Sequence, residues 1–208
     1  MRLAFPQRAL MFAACLAGAR VASAQYVVPT FYTNTAPENG TYTYQDAAHT
    51  KLTDGIVGAN DWTADLGSGN AHEWVGWQSV DPTLTFTFST SQTIRSVQIG
   101  FNRGEGTGAI YLPTSVTIGG SSFSLNGTEL ADNTRGYLQF DGEWTGTTLQ
   151  IDIPHVSGRW VFVDEVKFST TTIPEPAVSA LLAGLAAASW IAAWRKRASW
   201  SREKLFTA

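Results

Sequence analysis

Short runs in which apolar and polar side chains alternate dominate the middle of the chain. Residues 83–88 have strict period two, with Leu84, Phe86 and Phe88 on one face. Residues 94–101 repeat it with Val97, Ile99 and Phe101. Further short runs at 25–32, 41–44, 73–77, 115–118, 123–125, 136–140, 149–153 and 160–168 are separated by Gly, Asn, Asp and Pro. Between them, 46–70 is rich in Gly, Asp and Asn and reads as a long loop with room for one helical turn. No stretch of this region has a helical period and there is no internal repeat, so the pattern predicts an all-β sandwich or barrel.

Both ends break the pattern. Residues 177–194 carry no charge; as a helix at about 1.5 Å per residue they reach roughly 27 Å, enough for a hydrocarbon core. Arg195, Lys196 and Arg197 follow directly, and basic residues beside a span mark its cytoplasmic side. The other reading is a buried alanine-rich helix, although such a helix seldom lacks a polar stripe over this length. At the front, Arg2 and Arg8 precede an apolar run at 9–19, and Ala22-Ser23-Ala24 is a small-residue cleavage site before Gln25. That is the layout of a secretory signal. The only cysteine, Cys15, lies inside it, where Phe12-Ala13-Ala14-Cys15 leaves open a lipoprotein reading. The expected organisation is a signal peptide at 1–24, a β-sandwich at 25–169, a linker at 170–176, a transmembrane helix at 177–194 and a basic cytoplasmic tail at 195–208.

The tail also carries a resemblance. Pro174-Glu175-Pro176, the short apolar span and the Arg195-Lys196-Arg197 end stand in one order at one terminus. This resembles the PEP-CTERM sorting signal of Gram-negative bacteria. The resemblance implies an exosortase as processing partner. It also implies an inner-membrane intermediate with the domain on the periplasmic side, then release to the cell surface or matrix. The 198–208 extension is longer than the abrupt stop usual in that family.

Removing both ends changes the charge. Residues 25–172 hold six basic and fifteen acidic side chains, a net charge of −9, against −3 for the whole chain. An acidic exported domain is a poor partner for nucleic acid or anionic polymer and suits cations and neutral ligands better. Without a cysteine it has no disulfide and depends on core burial, with or without a metal.

Lys51-Leu52-Thr53-Asp54-Gly55, Trp74-Val75-Gly76-Trp77, the 84–88 run, Ala109-Ile110-Tyr111-Leu112-Pro113 and Trp160-Val161-Phe162-Val163-Asp164-Glu165-Val166 occur in that order. Together they resemble the discoidin-like and galactose-binding-like jelly rolls, which include carbohydrate-binding modules of bacterial glycosidases. The resemblance implies an eight-stranded jelly roll with neighbouring first and last strands. It also implies a structural calcium ion held by the side chains of Asp54 and Glu165 with backbone carbonyls near Lys51 and Thr53; Asp61 is a further candidate. Oxygen ligands from a tight loop suit calcium. The alternative is that Asp54 merely caps a turn and Glu165 is an exposed strand residue. For a sugar, an aromatic platform with polar loop groups nominates Trp62, His72, Asn102, Arg103, Glu105 and Trp144. Against this, tryptophans in a sandwich are mostly core, and Trp74, Trp77 and Trp160 alternate as core residues would.

Catalysis finds little footing. As neighbours in a strand, Asp164 and Glu165 should point to opposite faces; His49, His72 and His155 lack metal-ligand spacing, and no serine sits in a nucleophile elbow. The Gly104–Gly108 stretch lacks the lysine and helix of a phosphate cradle. Asn39-Gly40-Thr41 and Asn126-Gly127-Thr128 match glycosylation sequons but serve equally as turns. The sequence therefore points to a non-enzymatic exported protein that binds carbohydrate or extracellular polysaccharide, or to a structural surface or biofilm-matrix protein.

Overall fold

The structure is a computed structural model that describes residues 24–36, 44–60, 62, 73–172 and 189. The chain divides into two compact units, residues 1–172 and 173–208. The second contributes only Ser189, which is helical, so Pro174, Glu175, Pro176, the 177–194 span and Arg195, Lys196 and Arg197 lie outside the described residues. Among the described residues no helix is long and apolar enough to cross a membrane.

The first unit is an all-β sandwich of eight strands: β1 (Tyr26–Val27), β2 (Phe31–Asn34), β3 (Val75–Gln78), β4 (Thr83–Arg103), β5 (Ser115–Ile118), β6 (Ser121–Ser124), β7 (Thr134–Asp152) and β8 (Trp160–Ser169). The path β1-β8-β4-β7-β5-β6 is hydrogen-bonded throughout, with β2 on β4 and β3 on β8. The first and last strands pair, Tyr26 with Ser169 and Val27 with Phe168.

Two pairs of short alternating runs are single long strands. Residues 83–88 and 94–101 are the two ends of β4, and 136–140 and 149–153 fall on β7 or just beyond its end. These strands pair from Thr83–Asp152 to Arg103–Thr134, with register shifts between Thr87 and Gln92 and between Ile94 and Ser96. Extra residues at a bulge bend and twist a strand, which lets one ribbon serve both layers. The early part of β4 pairs with β2 and its late part with β8. The predicted strand at 25–32 is instead interrupted, because Pro29, lacking an N–H, stands between β1 and β2.

The inward positions fuse into one core. Phe86, Phe88 and Phe168 meet with ring centroids 4.8 and 5.3 Å apart across the two layers, alongside Leu84, Val97, Ile99 and Phe101. A second, smaller cluster lies on the outer side of β8, where Trp160 and Phe162 pack with Tyr44, Trp74 and Ile110. It explains why β8 is apolar on both faces over its first half.

Candidate functional site

The loop from Tyr44 to Asn60 packs onto the outer side of β8 and is tied down by carboxylates. Asp46 is buried and accepts from the Tyr32 hydroxyl and from the Lys51 N–H at 2.8 Å. It thereby holds the 3-10 turn Lys51–Thr53, the helical turn expected in this loop. Beyond it Gly55, at φ +82°, adopts a backbone open chiefly to glycine. That turn aims the Gly55 N–H at Glu165 Oε2, 3.1 Å away. Further on, the Gly58 N–H donates to Asp164 Oδ2 at 2.7 Å.

The two acids of β8 depart from the expected geometry. Gly100 of β4 faces Glu165 while the next residue, Phe101, faces Val163, so Asp164 is the extra residue of a bulge. Val163 and Val166 both enter the core, which leaves Asp164 and Glu165 on the same outer face rather than on opposite ones. Strict alternation fails because a bulge inserts one residue into the period of two.

Their fates differ. Asp164 is fully buried and joined to Arg135, with Nε–Oδ2 at 2.8 Å and Nη2–Oδ1 at 3.0 Å. Burial pushes its carboxyl above the usual range, and the Arg135 guanidinium and Gly58 N–H oppose that rise. A methyl group on Gly100 would overlap both members of the pair. Arg135 also stacks 3.8 Å from the centre of the Tyr137 ring, and the Lys167 ammonium lies 4.6 Å from the same ring. Asp164 is thus saturated and is not available as an acid or base.

Glu165 is only 4% exposed and forms no ion pair among the described residues. Burial, with added repulsion from Asp54 and Asp164, pushes its carboxyl up to about 7, against the pull of the Gly55 N–H and the Lys167 charge. It lines an open cleft of about 290 Å³ with Thr53, Asp54, Gly55, Lys167 and the stretch Tyr26–Pro29, which begins with β1. Tyr26 and Val28 form its exposed apolar rim. Of the four metal candidates, Asp54, Thr53 and Glu165 therefore share one cleft, whereas Lys51 is not on its wall. The Lys51 N–H goes to Asp46, and its ammonium reaches the Gln45 carbonyl at 2.8 Å. Asp54 does cap the turn, accepting from the Ile56 N–H at 2.8 Å, but Glu165 is not the exposed strand residue of the alternative reading.

The donor set fits a hard cation. It is all oxygen, it brings two mutually repelling carboxylates together, and one of them is buried. No group of three His, Cys, Asp or Glu side chains forms among the described residues, so backbone carbonyls and water would complete the shell. Asp61 lies outside the described residues.

The sugar candidates scatter. Trp144 is 8% exposed, belongs to the main core and meets Phe123 edge-on at 6.3 Å. Trp62 is partly buried against Phe162 and Tyr44, and its indole lies over Gly104 and Gly108. The glycine-rich loop is thus a seat for an indole, closed by the short helical turn Glu105–Gly108. Asn102 is buried and donates to the Asn60 carbonyl at 3.0 Å, so it tethers the loop. Arg103 and Glu105 form a half-buried ion pair of 2.8 Å, with Arg103 also on the Leu130 carbonyl at 2.7 Å. Neither Trp62 nor Trp144 is an open platform: both face glycines whose missing side chains make room for the rings. His72 lies outside the described residues.

Two features escaped the sequence: Asp46 as the loop's anchor and Arg135 as the partner of Asp164. Nothing local announces either, since Tyr32 stands 14 residues from Asp46 and Arg135 stands 29 from Asp164. Arg159, 4.9 Å over the Tyr111 ring, adds a polar and aromatic pair on the 104–111 side of β8.

No family model matches the chain, and no curated protein matches it. Several solved structures are similar. A chain of the Streptococcus pneumoniae beta-galactosidase BgaA is 8% identical, with a TM-score of 0.46 over 70% of this chain and 98% of that one. The CBM32 of AlyQ, in complex with 4,5-unsaturated mannuronic acid, is 13% identical, with a TM-score of 0.40 over 69% and 97%. The family 32 CBM of NanJ from C. perfringens, in complex with galactose, is 15% identical, with a TM-score of 0.40 over 71% and 99%. At these scores the likenesses assign neither a ligand nor a site to this chain.

Proposed function

We propose that residues 25–172 form an exported, non-enzymatic binding domain of the galactose-binding-like jelly-roll type, stiffened by calcium and directed to carbohydrate or extracellular polysaccharide. The observation that carries the cation is the buried Glu165 carboxylate beside Asp54, where the loop meets the last strand. The ion would be held by Asp54, Glu165 and neighbouring oxygens of Thr53, and it would supply structural charge neutralisation only. The ordered motif set and the pairing of first and last strands support the jelly roll. Recognition falls to the half-buried ion pair of Arg103 and Glu105. In this reading the PEP-CTERM-like tail sorts the protein through an exosortase, by way of an inner-membrane intermediate, to the cell surface or matrix.

The test is an array of neutral glycans together with the producing cell's own polymer, probed with the exported protein with and without chelator. Binding to a neutral glycan, weakened at least tenfold by Arg103→Ala at unchanged melting temperature, is the expected result. A structural surface protein with no small ligand is the second reading, favoured by the packing of Trp62 and Trp144 inside the protein. Absence of binding to every probe would select it.

A further inference from the structure

One open face of the sandwich is almost uncharged. Where Leu84, Phe86 and Phe88 of β4 point into the core, Thr83, Thr85 and Thr87 point out. Strand pairing lines these up in three rows. Phe31 of β2 stands against Thr87, and Thr87 against Thr148 of β7. Thr33, Thr85 and Gln150 form the next row. Thr83, Asp152 and Thr117 of β5 form the third. Rows lie about 6.7 Å apart along a strand, and neighbouring strands about 4.8 Å apart. No lysine, arginine or glutamate stands in this grid. Its one carboxylate is occupied: Asp152 Oδ1 accepts from the Thr83 hydroxyl at 2.6 Å and from the Gln150 amide at 3.0 Å.

Two features exceed what strand formation requires. Threonine favours strands, but that preference asks neither for an absence of charge on an open face nor for a phenyl ring turned outwards. Phe31 is 52% exposed, while the next residue, Tyr32, is buried. Phe31 is therefore the open aromatic platform that Trp62 and Trp144 do not provide. Around it, the hydroxyls of Thr33, Thr85, Thr87 and Thr148 form no hydrogen bond among the described residues. The polar face near β1 differs. There Tyr26 donates to Gln98 at 3.0 Å, Gln98 to Gln139 at 3.4 Å and Gln139 to Asp141 at 3.1 Å, so the groups satisfy one another.

We infer that the grid is a binding site for an uncharged polysaccharide chain, laid across β2, β4 and β7 with one sugar ring stacked on Phe31. The apolar face of a pyranose can cover the phenyl ring. The free threonine hydroxyls both donate and accept, as sugar hydroxyls do, so the two sets can pair along the chain. Charge complementarity selects the polymer. A neutral chain desolvates no unpaired charge on the grid. An anionic chain meets the field of a domain of net charge −9 with no cation in the grid to pair with. The site is separate from the Arg103–Glu105 pair, and either can fail without the other.

The full chain should be run in native gels containing dextran, galactomannan or alginate, beside Phe31→Ala, Thr87→Lys and Arg103→Ala. The expected result is retardation by a neutral polymer and not by alginate. Phe31→Ala and Thr87→Lys should each weaken the apparent Kd about tenfold at unchanged melting temperature, while Arg103→Ala stays retarded. Thr87→Lys leaves the ring in place and Phe31→Ala leaves the grid, so a folding defect in one variant leaves the other to decide. Retardation that survives both substitutions but fails in Arg103→Ala overturns the face and leaves recognition at the loop. Equal retardation by alginate overturns the charge argument and the site with it. Retardation by none of the polymers overturns the face, and the glycan array still decides the loop.

Discussion

Arg135→Ala is expected to destabilise the domain by about 3–5 kcal/mol at neutral pH, because it strands a fully buried carboxylate. The pair is bidentate, and Asp164 has no other charged partner, only the Gly58 N–H. At about 2–4 °C per kcal/mol for a domain of this size, the melting temperature should fall by roughly 10 °C. Arg135→Lys should recover only part of this, since an ammonium cannot reproduce the two parallel bonds of a guanidinium. The sign of the pH dependence is fixed. Removing the cation raises the Asp164 carboxyl further above its unfolded value, so the folded state keeps a proton that the unfolded state sheds. The variant should therefore recover stability on acidification and lose it as pH rises through the new value. Asp164→Asn combined with Arg135→Ala should cost less than Arg135→Ala alone, because the amide leaves no charge behind. Thermal melts at pH 5 and 7.5 make the comparison. A loss below about 1 kcal/mol for Arg135→Ala would mean that the pair is not what pins the loop to β8.

That pair also marks where the sequence stops being legible. Period-two runs located nearly every strand, because a half-buried strand must alternate. They could not show that 83–88 and 94–101 belong to one strand: the bulges that join them leave only polar residues between, which read as a turn. The same blindness misplaced Asp164. Its inward or outward sense depends on a bulge set by pairing with Gly100, 64 positions away, and not by its neighbours. Asp54 and Glu165 were legible as a pair because a resemblance supplied the long-range contact that periodicity cannot. Trp62 and Trp144 were nominated as platforms on residue type alone. What buries them is the lack of a side chain at Gly104, Gly108, Gly119 and Gly142, and a glycine reads first as a turn residue.

The second large effect belongs to Glu165. With chelator present, its carboxyl stands at about 7 in the folded protein against about 4.5 when unfolded. Between those values the folded state binds the extra proton. Stability from this group is therefore complete below about pH 4.5, declines as pH rises, and is lost above about 7. The difference corresponds to about 3 kcal/mol. Metal-free protein should accordingly melt lower at pH 8 than at pH 5, and Glu165→Gln, which still offers an acceptor to the Gly55 N–H, should flatten that slope. Calcium acts on the other limb. It binds the ionised carboxylates, so at pH 8 an ion at a hundred times its dissociation constant restores about 2.7 kcal/mol, while at pH 4.5 protonation of Glu165 competes with it. Chelation should lower the melting temperature clearly at pH 8, barely at pH 4.5, and not at all in Glu165→Gln. Asp54→Asn should weaken the calcium response and also lower the Glu165 carboxyl, since one of the repelling charges is gone. A melting temperature indifferent to chelator at pH 8 would reject the cation. A metal-free slope that Glu165→Gln leaves unchanged would reject burial as the cause. The two results are separable because a buried acid next to another acid is costly whether or not an ion is there to offset it, and only the ion makes that cost reversible by adding calcium.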